Sequence, residues 1–284
     1  ENQSEAGGQS FRPGGGRELT AIPMTTPAGK ASVFDLFCAT VRRDPEKTAL
    51  SSAEGTLSYS DLMKKVRGLA AALSKLGLKP GDRIALLSEN RSEYAELQLA
   101  AAALGLIVAC QNWRLETAEL RHCIQLIGPT LTVHSARFAE AYRATGLATQ
   151  ALCIEEEWDR LTATPSQALA LPEVDPEAGL IILYTSGTTG LPKGALISHR
   201  AEIARMCAYR MDLAVTPSDD FIAWAPMFHM GSTDQVLATL MMGACVHVLD
   251  GFDARTIVDL MASRTLGWLL LMPGSIEPVV EILR

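Results

Sequence analysis

From Tyr184 to Gly194 the chain reads Tyr-Thr-Ser-Gly-Thr-Thr-Gly-Leu-Pro-Lys-Gly. Three glycines, four aliphatic hydroxyls and one lysine share these eleven positions. A loop of this kind suits a small anion. Glycines let backbone N–H groups close around it, hydroxyls donate to phosphate oxygens, and a lysine adds a point charge. Pro192 stiffens the loop just before Lys193. The spacing is not Gly-x-x-x-x-Gly-Lys-Ser/Thr, because Pro192 precedes the lysine and Gly194 follows it. Gly-x-Gly-x-x-Gly is absent as well. So is Gly-x-Ser-x-Gly, since Tyr184 stands two residues before Ser186. A plain hairpin turn draws on the same residue types.

The loop directly follows an apolar strand and precedes another. Leu180–Thr185 reads as a strand entering it and Ala195–Ser198 as a strand leaving it, followed by a helix over Arg200–Leu213. Upstream, Ser32 caps a helix carrying Val33, Leu36, Phe37 and Val41, which stops at Asp44-Pro45. Two short strands, Thr48–Ser51 and Thr56–Tyr59, turn at Glu54-Gly55. Ser60 then caps a helix with Leu62, Val66, Leu69, Leu73 and Leu76 on one face, ended by Gly77. Strands are expected at Ile84–Leu87, Leu106–Cys110, Leu131–His134 and Leu152–Ile154. Helices are expected at Asn90–Leu104, Thr117–Ile127 and Arg137–Thr145. After the loop come strands Phe221–Ala225, Cys245–Leu249 and Leu266–Leu271. Helices Ser232–Met242, Ala254–Arg264 (capped by Asp253) and one starting at Ser275 accompany them. This alternation predicts an α/β fold of doubly wound parallel sheets with flanking helices.

Residues 1–30, polar and rich in Gly and Pro, read as a flexible tail or cloning remnant. Residues 31–175 form a first α/β subdomain together with an N-terminal segment of a second. Residues 176–284 form that second subdomain, incomplete, carrying the loop. The boundary falls in the acidic, proline-containing stretch that ends at Pro176.

The net charge of -7 leaves no basic excess for nucleic acid. Residues 151–184 hold seven acids and one base, whereas 185–210 hold four bases and one acid, a local positive segment compatible with a small anionic ligand or a solvated helix face. Six cysteines show no zinc spacing and sit mostly in apolar runs, as buried thiols in a cytoplasmic protein would. The most apolar uncharged run, Leu99–Cys110, has 12 residues against the roughly 20 of a membrane span, and residues 1–30 have no apolar core segment of a signal peptide.

The string from Tyr184 to Gly194 resembles the phosphate-binding signature of the adenylate-forming superfamily: acyl- and aryl-CoA synthetases, luciferases and peptide-synthetase adenylation domains. Other segments are similar in order: Leu78–Ala85, Asn112-x-Arg114-Leu115 followed by Glu119-Leu120, Pro226–Gly231, and Leu271-Met272-Pro273. The resemblance runs from about residue 31 to the last residue. It implies the large N-terminal domain of such an enzyme, which activates a fatty or aryl acid with ATP to acyl-AMP and then transfers the acyl group to coenzyme A. It further implies that Thr185, Ser186, Gly187, Thr188, Thr189, Gly190 and Lys193 hold the β- and γ-phosphates, and that Mg²⁺ offsets charge with Thr185 as one contact. Lys193 and His229 become the candidate catalytic residues; Phe228, His229, Met230 and Gly231 become the acid pocket. Amino-acid-activating members resemble one another in carrying an Asp beside this Phe, so His229 favours an acid without an α-amine.

The resemblance also implies what is expected to be missing: no Tyr-Gly-x-Thr-Glu occurs, and the small C-terminal domain has no counterpart. The chain is therefore expected to be a truncated front half, inactive alone, with a homodimer as one assembly open to it. Two other readings compete. One is a non-enzymatic nucleotide- or acyl-binding α/β module; the other is an unrelated scaffold whose Gly/Thr loop is only a turn. His229 as a plain loop residue, His199 as a helix-entry residue, and His122, His134 and His247 as structural residues are the corresponding bland readings.

Overall fold

A computed structural model describes residues 29–186 and 190–284; the expected tail therefore lies, but for residues 29 and 30, outside the described residues. Helix α1 (Val33–Arg43) opens the fold. Ser32 caps it as expected. Its hydroxyl accepts from the Asp35 N–H at 3.2 Å, while its own N–H donates to the Asp35 carboxylate at 2.8 Å. The hairpin β1 (Thr48–Ser52) and β2 (Gly55–Ser58) leads into α2 (Tyr59–Lys75). Here Ser58, not Ser60, is the cap, because its hydroxyl is the one that reaches the Asp61 N–H, at 3.1 Å.

Strand–helix units follow: β3 (Arg83–Leu87), α3 (Ser92–Leu104), β4 (Ile107–Cys110), α4 (Thr117–Ile127), β5 (Leu131–His134), α5 (Ala139–Ala144), β6 (Ala151–Cys153) and α6 (Ile154–Thr162). The second half holds β7 (Gly179–Thr185), β8 (Lys193–Ser198), α7 (His199–Asp212), β9 (Phe221–Ala223), α8 (Met230–Met242), β10 (Val246–Val248), α9 (Ala254–Ser263) and α10 (Ile276–Leu283).

One sheet has the order β6-β5-β3-β4-β7-β8, parallel except for the edge strand β8. The other has the order β2-β1-β10-β9, parallel except for the edge strand β2. The expected doubly wound parallel arrangement is thus found, with one antiparallel strand added to each sheet. The sheets do not divide at residue 176. A crossing of an early segment into the second sheet was expected, and Leu50 of β1 pairs with Val246 of β10. The reverse crossing was not: β7 pairs with β4, Ile181 opposite Val108 and Ile182 opposite Ala109, so the loop hangs from the sheet of the first half. Four apolar residues in register, in a strand apolar on both faces, secure that placement.

Two helices fill the space between and beside the sheets. α3 packs on β4 and β7 on one side and on β1 on the other, and every residue from Tyr94 to Leu104 is buried. α8 packs on β9, β10, α1 and α7 and is buried from Ser232 to Met242. A helix covered on all faces shows no polar stripe. Its few polar side chains must pair internally, and Gln98 of α3 donates to the Thr233 hydroxyl of α8 at 2.6 Å.

Two expectations fail for physical reasons. Leu266–Leu271 forms no strand; only Leu266 bridges to Asp220, and the segment is held by side-chain packing instead, Trp268 against Phe221 and Tyr209 and its leucines in the cluster around Ile222 and Trp224. Conversely, the acidic stretch after β6 contains α6. Its Ile154, Trp158 and Leu161 are buried at steps of four and three, and the Trp158 indole donates to the buried Glu96 carboxylate at 2.7 Å. Glu155, Glu156 and Glu157 sit in its first turn, where carboxylates favour the helix dipole. α6 approaches α2 so closely that a Cβ at Gly68 would overlap the Thr162 carbonyl oxygen.

His199 ties the start of α7 to the start of α1. Its Nδ1 accepts from the Val33 N–H at 3.2 Å, and it is fully buried. Burial lowers its pKa to about 4, opposed by the nearby Asp35 carboxylate. Between about pH 6.5 and 4 the unfolded state therefore binds the proton and the folded state does not. Stability is expected to fall across that window by up to roughly 3 kcal/mol, at about 1.4 kcal/mol per pH unit. Denaturant unfolding against pH should show this loss, and His199→Gln should flatten it; parallel curves for the two proteins would contradict it.

Candidate functional site

The C-terminal ends of the parallel strands of both sheets converge on one rim, the position where open α/β sheets bind ligands. Asn90, three residues beyond β3, makes the junction. Buried, it donates through Nδ2 to the carbonyls of Ala223 (3.1 Å), Ala225 (2.7 Å) and Leu249 (3.1 Å). Its Oδ1 accepts from the Met227 N–H at 2.8 Å. Strand β3 is thereby fastened to the ends of β9 and β10 and to the segment that carries Phe228 and His229.

Beyond β4 come Gln111 and Trp113. Gln111 donates to the Tyr184 hydroxyl at 3.0 Å, and that hydroxyl donates to the Cys123 carbonyl of α4 at 2.8 Å. Trp113 meets the Phe228 ring edge-on at 5.7 Å and stacks on Phe138 at 5.5 Å. Arg114 lies 4.9 Å from the Trp113 ring and 5.9 Å from that of Phe228. Through Gln111 and Trp113, then, the end of β7 and the segment after β9 share a neighbour.

The loop leaves β7 at Thr185, which pairs with Lys193 across the hairpin, while Tyr184 pairs with Gly194. Thr185, Ser186, Gly190 and Lys193 are all exposed. Gly187, Thr188 and Thr189 lie outside the described residues. Gly190 has φ +91°, open to glycine but strained for other residues. At Gly194 a Cβ would come within 3.0 Å of the Ile182 side chain, so a small residue is needed beside Lys193. A cavity of about 560 Å³ opens under the hairpin, bounded by Arg83, His122, Leu126, Pro192, Lys193 and Leu196.

The second group of expected site residues is divided in its exposure. Phe228 is buried, its ring 4.4 Å from that of His229. His229 and Met230 are exposed at the start of α8, with Gly231 beside Leu270. Partial desolvation and the Arg114 guanidinium hold His229 below the ordinary imidazole range, which favours the neutral ring. A second cavity, about 270 Å³, lies at the junction between Asn90, Trp113, Arg114, Trp224 and Phe252.

Other titratable groups belong to the core. Burial pushes the thiols of Cys38, Cys110, Cys123 and Cys245 up to about 12. Among the described residues, one group places three metal-type side chains close together: Asp220, Cys245 and His247. It sits at the opposite, N-terminal ends of β9 and β10. Both Asp220 oxygens are already engaged there, by the Cys245 N–H at 2.9 Å and by His247 Nε2 at 3.1 Å. This is a packed hydrogen-bonded pair.

Sequence reasoning missed Asn90, Gln111, Trp113 and His122 as parts of this rim. Their position just past the ends of β3 and β4 is the signal that would have found the first three. Among the described residues no helix is long and apolar enough to cross a membrane.

This rim, on two parallel sheets with a Gly/Thr/Lys hairpin, defines a class. The chain belongs to the AMP-binding enzyme family, whose model matches residues 37–279. Indoleacetate–CoA ligase of Aromatoleum aromaticum is 32% identical over 250 residues, covering 84% of this chain and 49% of that protein. Feruloyl-CoA synthase of an Amycolatopsis species is 28% identical over 226 residues, covering 77% of this chain and 44% of that protein. A structure described as a long-chain fatty acid–CoA ligase of Rhodopseudomonas palustris superposes with TM-score 0.83 at 21% identity, over 89% of this chain and 66% of that one; this likeness concerns the fold. The chain spans about half the length of the curated relatives it matches.

Asn90→Ala would leave the Ala225 carbonyl and the Met227 N–H without a partner and take a second donor from the Ala223 and Leu249 carbonyls, which keep the N–H groups of Leu249 and Gly251. The expected loss is about 3 kcal/mol or more, read by urea unfolding. A loss below about 1 kcal/mol, the net worth of a single hydrogen bond, would show that the junction does not depend on it.

Proposed function

We propose that the chain carries the polyphosphate-binding and acid-binding part of an ATP-dependent acid–CoA ligase. In this reading the loop from Thr185 to Lys193 holds the β- and γ-phosphates of ATP. The carboxylate of the acid attacks the α-phosphorus, the bond to the β-phosphate oxygen breaks, and acyl-AMP and pyrophosphate form. The thiol of coenzyme A then attacks the acyl carbonyl and AMP leaves. The Lys193 ammonium, the loop hydroxyls and backbone N–H groups would offset charge on the polyphosphate, an electrostatic form of catalysis. Thr185 offers an exposed hydroxyl at the strand end. It would be one Mg²⁺ contact, with phosphate oxygens and water completing the shell; the metal would neutralise charge at the α-phosphate.

The observation that carries this reading is the hairpin itself. It sets Thr185 opposite Lys193 at the strand-end rim that also bears His229. For the acid, the neutral His229 ring beside the Arg114 guanidinium supports a carboxylic acid without an α-amine. A cationic neighbour disfavours a substrate ammonium and suits its carboxylate. Exposed His229 and Met230 and the apolar Phe228–Trp113 wall suit an aryl or fatty body; His229 would touch the acid and act as the second catalytic residue.

The test is calorimetric titration of the chain with magnesium tripolyphosphate and with MgATP. Lys193→Ala is expected to weaken both about tenfold, or about 1.4 kcal/mol, while leaving the melting temperature of the free protein unchanged. Equal affinities of the variant and the wild type would overturn the role of the loop.

A further inference from the structure

Two consecutive residues of α4 reach the two limbs of the hairpin. The Cys123 carbonyl accepts from the Tyr184 hydroxyl at 2.8 Å, which holds the limb entering the loop. On the returning limb, His122 Nε2 lies 3.1 Å from the Pro192 carbonyl oxygen. A carbonyl can only accept, so the His122 hydrogen resides on Nε2.

The position of that contact matters. The hairpin ladder ends at the Thr185–Lys193 pair, so Pro192 is the first residue beyond it. Proline has no N–H with which to pair across the hairpin, and only its carbonyl can be fastened. That carbonyl belongs to the peptide plane leading into Lys193. Its rotation would swing the backbone N–H and the Cα–Cβ direction of Lys193 together. Below it the cavity wall is largely apolar, with Leu126, Ile127, Ile182 and Leu196, and among the described residues offers no competing side-chain donor besides Arg83 and Lys193. Arg83 is already committed to the carbonyls of Ile127 and Gly128, each at 2.8 Å.

We propose that His122 is a positioning residue: its Nε2–H fixes the Pro192–Lys193 peptide plane and so aims the lysine at the anion in the loop. The inference rests on the polyphosphate reading above. It assigns to a helix outside the loop the task of orienting the loop's one cation.

Two variants separate the hydrogen bond from mere bulk. His122→Gln keeps an N–H donor of similar reach, and His122→Phe keeps the ring and removes the donor. Hydrogen–deuterium exchange is read over residues 190–196, tripolyphosphate affinity by calorimetry, and the melting temperature of the free protein as a control. In His122→Phe the segment is expected to exchange at least fivefold faster and tripolyphosphate to bind five- to tenfold more weakly, with little change in melting temperature. His122→Gln is expected to stay within twofold of the wild type in both. If the wild type binds and His122→Phe binds and exchanges like it, the aiming role is overturned and the polyphosphate reading survives. If His122→Gln falls as far as His122→Phe, the donor role is overturned in favour of ring shape. If the wild type itself fails to bind tripolyphosphate, the polyphosphate reading and this inference fall together.

Discussion

A single buried carboxamide joins the two sheets where their strands end. Asn90 bonds three carbonyls and one N–H that come from two separate stretches of chain, the end of β9 and the end of β10. Among the described residues the Ala225 carbonyl and the Met227 N–H have no other partner, whereas the Ala223 carbonyl also accepts from the Leu249 N–H at 3.1 Å and the Leu249 carbonyl from the Gly251 N–H at 2.9 Å; a buried group left unpaired costs more than its bond contributes. The half of the rim that carries Phe228 and His229 follows from this fastening. It sets the end of β3 against the ends of β9 and β10. It holds the Met227 backbone and so the start of the Phe228–His229 segment, and it leaves Trp113 to close against Phe228 at 5.7 Å. A polar pin is directional in a way that apolar packing is not, which is what a site assembled from two sheets requires.

The loop depends on a second set of polar contacts, and these come from α4 and from the end of β4. Tyr184 is half-buried and fixed by Gln111 and Cys123, and burial raises its phenol well above the ordinary range. Gly194 lets β8 lie close over Ile182. Between these fixed limbs, Thr185, Ser186, Gly190 and Lys193 stay exposed. The limbs are held by these contacts and the proposed site groups are exposed, the arrangement expected where a scaffold positions a binding loop.

Local signals in the sequence were readable. The Ser32 cap and the α2 face of Leu62, Val66, Leu69 and Leu73 depend on neighbours in the chain and are present as expected, although Leu76, expected on that face, is the exposed C-cap; Thr185 and Lys193 flank a hairpin, with residues 187–189 outside the described residues. What could not be read is non-local. Leu50 meets Val246 far along the chain, and β7 returns to β4, so no boundary near residue 176 separates the sheets. Asn90 looked like the first residue of a helix, although its side chain reaches residues far along the chain. His122 looked like a core histidine, because nothing in its own helix points to Pro192. α6 was hidden by its glutamates: a charge run suggests solvent, whereas acids in a first turn beneath Ile154, Trp158 and Leu161 suggest a helix start. The chain's place in the AMP-binding family was legible for the opposite reason, since the loop that carries it is contiguous.

The most direct test of the account is a crystal structure of the chain grown with a non-hydrolysable magnesium ATP analogue. The account predicts the β- and γ-phosphates seated between Thr185 and Lys193, with the α-phosphate toward His229. A polyphosphate bound elsewhere, such as in the cavity beside Arg83, with the hairpin left empty at saturating ligand, would contradict it.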